Sequence, residues 1–268
     1  MLEKSVDGAP SIISSDKLRQ LYTTMLKCRI LESHVRKFSG VSSWKGREAV
    51  ATAAAIDLQL HDAIVAFPST VIPSFLRGTA LQSVLDSHSA AQKLNKSQAE
   101  CALATGIAYA RSVENKESVT VAFLSDSPER YDGGREALRF AGEHKLPILY
   151  LYGGPLPDAM QAYAYGFPLI PVDGNDVVAV YRVAHECLVR ARQGGGPSMI
   201  AHSGCSRNGA PAKNDPILKM ERYLSRKGLF TDELKLRTIR EFEKAIAASR
   251  KASGSRKIQQ ESLQVCIV

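Results

Sequence analysis

A chain of 268 residues, 44% hydrophobic and 23% charged, is long enough to bury one large α/β core, and one domain is the default expectation. No run approaches the roughly 18 uninterrupted apolar residues that a membrane span requires, and the opening MLEKSVDGAPSIISSDK lacks an apolar core of signal-peptide type, so the expectation is a cytoplasmic protein with no membrane partner. The net charge of +8 is spread along helical segments in which Lys and Arg alternate with Glu and Asp, and no nucleic-acid partner is expected from it.

In chain order, residues 1–15 read as a disordered N-terminal extension. Ser14, Ser15 and Asp16 then offer an N-cap, and Leu18, Leu21, Tyr22, Met25, Leu26 and Val35 recur at helical spacing, which predicts a long amphipathic first helix. Gly46 to Leu58 is rich in Ala and predicts a helix pressed closely against a neighbour. From Ser97 the pattern becomes regular: a helix through QAECALATGIAYARSVEN, a strand at VTVAFLS, a helix at REALRFAGEH and a strand at PILYLY. Both strands are unbroken apolar runs, as a parallel sheet covered on both faces needs.

The alternation continues with a helix near Asp158 to Tyr165, a short strand at LIPV, a turn at Asp173-Gly174, a helix from Asp176 to Gln193 and a strand at SMIAH. Asp215-Pro216 pairs an N-cap with Pro at the first helical position and opens a C-terminal helical region that Gly228 interrupts and Thr231 restarts. The domain is expected over residues 16–250. Residues 251–268, next to Arg250 and with Lys251, Arg256 and Lys257 among Ser and Gln, read as a disordered tail. Cys28, Cys101, Cys187, Cys205 and Cys266 form no CxxC pair or zinc-finger spacing, which fits a reduced compartment. Cys266 stands third from the end, where a prenylation box needs it fourth.

In an open parallel sheet the ligand crevice lies beyond the carboxyl ends of the strands, so the chemistry is sought after VTVAFLS and PILYLY, at Ser125-Asp126-Ser127-Pro128 and Gly153-Gly154-Pro155. Here the chain resembles the alpha subunits of thiamine-diphosphate-dependent 2-oxo acid dehydrogenases. In that family the first loop is Gly-Asp-Gly, a Glu-Ala-Leu helix follows, Leu-Pro enters the next strand, and that strand ends in Asn-Asn. Asp126, Glu136-Ala137-Leu138 and Leu146-Pro147 stand in the same frame. The likeness extends through Leu21-Tyr22, Met25-Leu26 and Arg29, through Gly46-Arg47-Glu48-Ala49 and Arg77-Gly78, and on to Ala164-Tyr165-Gly166 and Val172-Asp173-Gly174-Asn175-Asp176-Val177. Asp215-Pro216-Ile217 and Gly228-Leu229 continue it, so that it covers approximately residues 16–245. It implies a mostly parallel sheet with helices on both faces, the thiamine-diphosphate-binding fold, plus C-terminal helices. It also implies a thiamine diphosphate and magnesium site, and a beta-type subunit or a second copy as partner.

The departures from the family bear on that chemistry. Magnesium needs oxygen ligands, in the family the Asp of the first loop and the second Asn of Asn-Asn. Asp126 keeps the first, and the second position falls on Pro155, which has no side-chain oxygen. Ser125 and Ser127 replace the glycines that let backbone approach phosphate, which leaves Ser125, Asp126, Ser127 and Gly154 as vestigial cofactor contacts and Asp126 as the one metal ligand. The family's diphosphate-binding Arg aligns near Phe67-Pro68-Ser69, and its active-site His loop near Asn208-Gly209-Ala210-Pro211. A glycine-rich stretch is cut down to about Asp86–Asn95.

No catalytic residue is assigned. Each retained residue also has a structural reading: Asp126 as a turn former, Glu136 as a helix-face charge, Asp173 and Asn175 as a turn, and His61, His144, His185 and His202 as isolated polar residues. Three functions stand in order of expectation. They are an impaired or non-catalytic alpha-type partner subunit, a working decarboxylase that passes an acyl group to a lipoyl arm with a beta subunit, and a non-enzymatic small-ligand domain.

Overall fold

The computed structural model describes residues 13–35, 44, 46–66, 71–90, 100–114, 117–124, 134–153, 165–203 and 214–253. Five strands, β1 (Ala63–Ala66), β2 (Thr120–Leu124), β3 (Ile148–Gly153), β4 (Leu169–Asp173) and β5 (Ser198–Ser203), form one sheet in the order β1-β2-β3-β5-β4, and every neighbouring pair is parallel. The mostly parallel sheet expected from the apolar runs is therefore present. β2 is buried at every position and β3 at all but its last, which is why both read as continuous apolar runs. β4 is an edge strand, half exposed, and it tolerates Pro171 because an edge position need not donate to a neighbour.

Alternate residues of the strands face two cores. Ile64, Val121, Phe123, Leu149, Leu151 and Ile200 meet α1 (Ser15–Val35), α2 (Glu48–Ala55), α3 (Val71–Leu76), α4 (Leu81–Ala90), α7 (Val177–Arg192), α8 (Pro216–Arg226) and α9 (Asp232–Ser253). Val65, Ala122, Leu124, Ile148, Tyr150 and Met199 meet α5 (Glu100–Glu114) and α6 (Gly134–Glu143). Among the described residues helices thus cover both faces, seven on one side and α5 and α6 on the other. α2 packs on the deep side through a wholly buried EAVATAAA, the close approach that its small residues anticipate.

Several elements differ from the sequence expectation. α2 is shorter than the span from Gly46 to Leu58, because Gly46 has φ +86° and Arg47 takes the N-cap position. β1, at four residues, is too short for periodicity to identify. The helix expected near Asp158 to Tyr165 falls almost wholly outside the described residues.

The amino ends of the strands are closed by an ion pair. Asp62, fully buried before β1, accepts from Gln59 N (2.7 Å) and Val119 N (2.9 Å), and both its oxygens accept from the Arg192 guanidinium at 2.9 and 2.7 Å. Arg192 also donates to the Glu117 carbonyl at 2.5 Å, so one side chain from the end of α7 ties the starts of β1 and β2 together.

Candidate ligand crevice at the carboxyl ends of the strands

The topology locates a crevice. α6 connects β2 to β3 on one face, whereas α7 connects β4 back to β5 on the other, so the connections change sides between β3 and β5. In open α/β sheets that switch point is where ligands bind, beyond the carboxyl ends of the two strands.

Gly153 of β3 and His202 of β5 are register partners at this point. His202 is 5% exposed, and its Nδ1 has no hydrogen-bond partner among the described residues. Burial pushes its imidazole pKa down to about 3, and the Arg47 charge adds to the effect, so the ring is neutral at physiological pH. A Cβ at residue 153 would stand 2.6 Å from His202 Cε1, so the bare backbone of Gly153 is what lets the ring lie there. A buried neutral imidazole with an unpaired nitrogen can give or take one hydrogen bond from a ligand. Sequence reasoning had set His202 aside as an isolated polar residue; the usable signal was its place in the last positions of an apolar strand.

On β2, Phe123 meets Trp44 edge-on, with ring centroids 5.3 Å apart, and the Trp44 backbone N–H donates to the buried Glu32 carboxylate at 3.0 Å. At the end of β4, Gly174 N donates to Ser203 O (2.8 Å) and Asn175 N to Asp173 Oδ1 (2.9 Å), which is the turn that Asp173 and Asn175 were expected to shape. Asp176 caps α7 by accepting from Val178 N and Ala179 N, both at 3.1 Å. Lys219 of α8 reaches Asp173 at 2.6 Å and Asp176 at 3.3 Å. Partial burial raises the Asp173 pKa, but Lys219 and the Asn175 N–H more than offset this and leave it lowered. A cleft of about 230 Å³ opens between the start of α7 and α8, lined by Asn175, Asp176, Val178, Arg182, Lys219 and Tyr223 among others.

The retained motif residues of the helical layer also meet one another. Arg29 of α1 pairs with Glu48 of α2 and, at 2.8 Å, with Asp215, the N-cap of α8. Burial lowers the Arg29 pKa, but Glu48 and then Asp215 outweigh it and hold it above its ordinary value; Asp215 is raised by burial and, on balance, lowered by Arg29. Glu48 also accepts from Gly46 N at 2.8 Å. Three motifs far apart in sequence thus make one ion cluster that joins three helices.

Ser125, Asp126, Ser127, Gly154 and Pro155 lie outside the described residues, as do Phe67-Pro68-Ser69 and Asn208–Pro211. Glu136 is exposed in the first turn of α6, and His144 and His185 are exposed. Among the described residues no three His, Cys, Asp or Glu side chains are grouped to hold a metal ion, and no helix is long and apolar enough to cross a membrane.

A parallel sheet with helices on both faces defines the α/β class of fold, and comparison with known proteins narrows it. The family model described as "Dehydrogenase E1 component" matches residues 156–209. The alpha subunit of 2-oxoisovalerate dehydrogenase from Bacillus subtilis is 28% identical over 162 residues, 49% of this chain and 49% of that protein. The alpha subunit of acetoin:2,6-dichlorophenolindophenol oxidoreductase from the same organism is 35% identical over 112 residues, 37% of this chain and 34% of the relative. The alpha subunit of 3-methyl-2-oxobutanoate dehydrogenase from Mycobacterium tuberculosis is 38% identical over 111 residues, 36% and 30% of the two chains. The chain is thus related to the alpha subunits of 2-oxo acid dehydrogenases, and its matches span about half or less of their length.

Proposed function

We propose that this chain is a catalytically impaired or non-catalytic alpha-type subunit, which has kept the framework of a 2-oxo acid dehydrogenase alpha subunit and serves as a partner in an assembly with a beta-type subunit. The observation that carries the reading is where the retained motif residues spend their charges. Arg29, Glu48 and Asp215 pair with one another, and Asp173 and Asp176 pair with Lys219, so all five serve to hold helices and turns together.

The cofactor's donor set does not fit the residues present. Asp126 offers one carboxylate, the second magnesium-ligand position is Pro155, and no cation stands at the position of the diphosphate Arg. The buried thiols of Cys28, Cys101 and Cys187 are free, which agrees with a reduced, cytoplasmic setting.

Reconstitution tests the reading. Mixed with a beta-type subunit from the same genome, the chain is expected to form a stoichiometric complex that releases no carbon dioxide from pyruvate or branched 2-oxo acids when thiamine diphosphate and magnesium are supplied. Turnover lost in the Asp126→Ala variant would establish the active decarboxylase instead.

A further inference from the structure

Between α7 and α8 lies a cleft of about 230 Å³ that holds polar groups the framework does not use. On α7, Asp176 at the N-cap, Ala179 and Arg182 follow one another at intervals of three, and on α8 Lys219, Tyr223 and Arg226 at intervals of four and three. Each set therefore runs along one side of its helix, and both sets line the cleft. The Lys219–Asp176 contact at 3.3 Å bridges the two walls at the start of α7. Arg182 and Arg226 stand about two turns farther along their helices.

At one end of the cleft the polar groups are engaged. Lys219 meets Asp173 and Asp176, and Asp176 also caps α7. At the other end they are not: among the described residues Arg182 and Arg226 are in no ion pair or side-chain hydrogen bond, and the Tyr223 hydroxyl has no hydrogen-bond partner. Two guanidinium forks from two helices, with no carboxylate of their own, suit the geometry and the double charge of a phosphate. Asn175, 5% exposed, gives its side-chain N–H to Asp173, while its buried Oδ1 has no donor. A buried acceptor left unpaired carries a penalty that a ligand hydroxyl removes. One lysine against two aspartates leaves this end negative, so it favours hydroxyls over a second anionic group. The volume lies below the roughly 300–1,000 Å³ of drug-sized sites, which restricts the ligand to a small one.

We propose that the α7–α8 cleft is a binding site for a small hydroxylated phosphomonoester, with the phosphate held between Arg182 and Arg226, a hydrogen bond from the Tyr223 hydroxyl, and a ligand hydroxyl turned towards Asn175. The cleft follows β4 at the edge of the sheet, whereas the switch point lies between β3 and β5, so the site is separate from the crevice at His202. It goes beyond the proposed function and requires neither thiamine diphosphate nor a beta-type subunit. Because the ligand joins two helices of the folded chain, its binding also stabilises the fold by mass action.

Calorimetric titration of the full chain with glycerol phosphate, at fixed ionic strength and without magnesium, tests it, with the rise in melting temperature as a second readout. Saturable binding at micromolar to low millimolar concentration is expected, with inorganic phosphate weaker and glycerol without effect. Arg182→Gln and Arg226→Gln are each expected to weaken binding by about tenfold or more, and Tyr223→Phe by less. The melting temperature of the unliganded arginine variants is expected to stay within about two degrees of the native chain, because neither guanidinium has a partner to lose. Arg237→Gln, exposed on α9 and outside the cleft, is expected to bind as the native chain does. Neither heat nor a melting shift at up to about 20 mM ligand overturns the proposal. Binding that survives the double variant Arg182→Gln, Arg226→Gln also overturns it. So does equal affinity for glycerol phosphate and inorganic phosphate, which would mean attraction of any anion to a basic surface. None of these readouts involves turnover, so failure here is distinguishable from failure of the subunit reading.

Discussion

Asp62 and His202 occupy opposite ends of the same sheet, and both are buried. Asp62 accepts four hydrogen bonds, two from backbone and two from Arg192, so its charge is matched on every side. Among the described residues the Nδ1 of His202 has no hydrogen-bond partner, and the ring is held neutral by burial and by Arg47. A fully partnered buried charge closes and stabilises the amino ends. An imidazole with a vacant hydrogen-bonding position at a topological switch point suits the end of the sheet where a ligand would enter. The two ends of one set of strands therefore serve different purposes, and substitutions at each separate them.

The largest effect is expected at the closed end. Arg192→Ala leaves the Asp62 carboxylate buried without its cation and should cost about 3–5 kcal/mol of stability in urea denaturation. A loss under about 1 kcal/mol would mean that backbone donors alone satisfy the aspartate. At the open end, Gly153→Ala drives a methyl into the His202 ring and should cost about 1–3 kcal/mol. Much of that loss should be recovered when His202→Ala is added, a coupling that a double-mutant cycle measures.

A pH series sharpens the contrast. The folded-state pKa of His202 lies near 3, below the roughly 6.5 of an unfolded histidine, so as pH falls from 7 towards 5 the unfolded chain gains a proton that the folded chain refuses. Stability present above the unfolded value is lost on acidification, by about 2 kcal/mol at pH 5 from this group. His202→Gln should flatten that limb. Asp173 and Asp215, whose folded pKa values are lowered, contribute stability present above about pH 4 that is lost as pH falls further, and this second limb should survive the substitution. The smallest effect is expected at Asp176→Ala, which removes the N-cap of α7 for about 1 kcal/mol by thermal melting.

The parallel sheet was legible because β2, β3 and β5 are buried runs of apolar residues, and the caps of α7 and α8 were legible because Asp176 and Asp215-Pro216 carry local chemistry. β1 and the Asp62–Arg192 ion pair were not. Ala63–Ala66 is too brief for a periodic signal, and Asp62 meets Arg192 across 130 positions of chain. Arg29, Glu48 and Asp215 were visible as pieces of three motifs, but only the fold shows that they neutralise one another. His202 was passed over because nothing local to β5 reveals that Gly153 lies beside it. The resemblance placed the cofactor contacts at Ser125, Asp126, Ser127 and Gly154, outside the described residues, so for these positions the sequence is still the guide.

We propose that the chain keeps an alpha-subunit framework without a complete cofactor site. Calorimetric titration of the full chain with thiamine diphosphate and magnesium, alone and with a beta-type subunit, meets that claim most directly. No saturable heat is expected in either arm, and no difference between the native chain and Asp126→Ala. Saturable binding by the native chain that disappears in Asp126→Ala would contradict it and would show that the site is completed by groups other than Pro155.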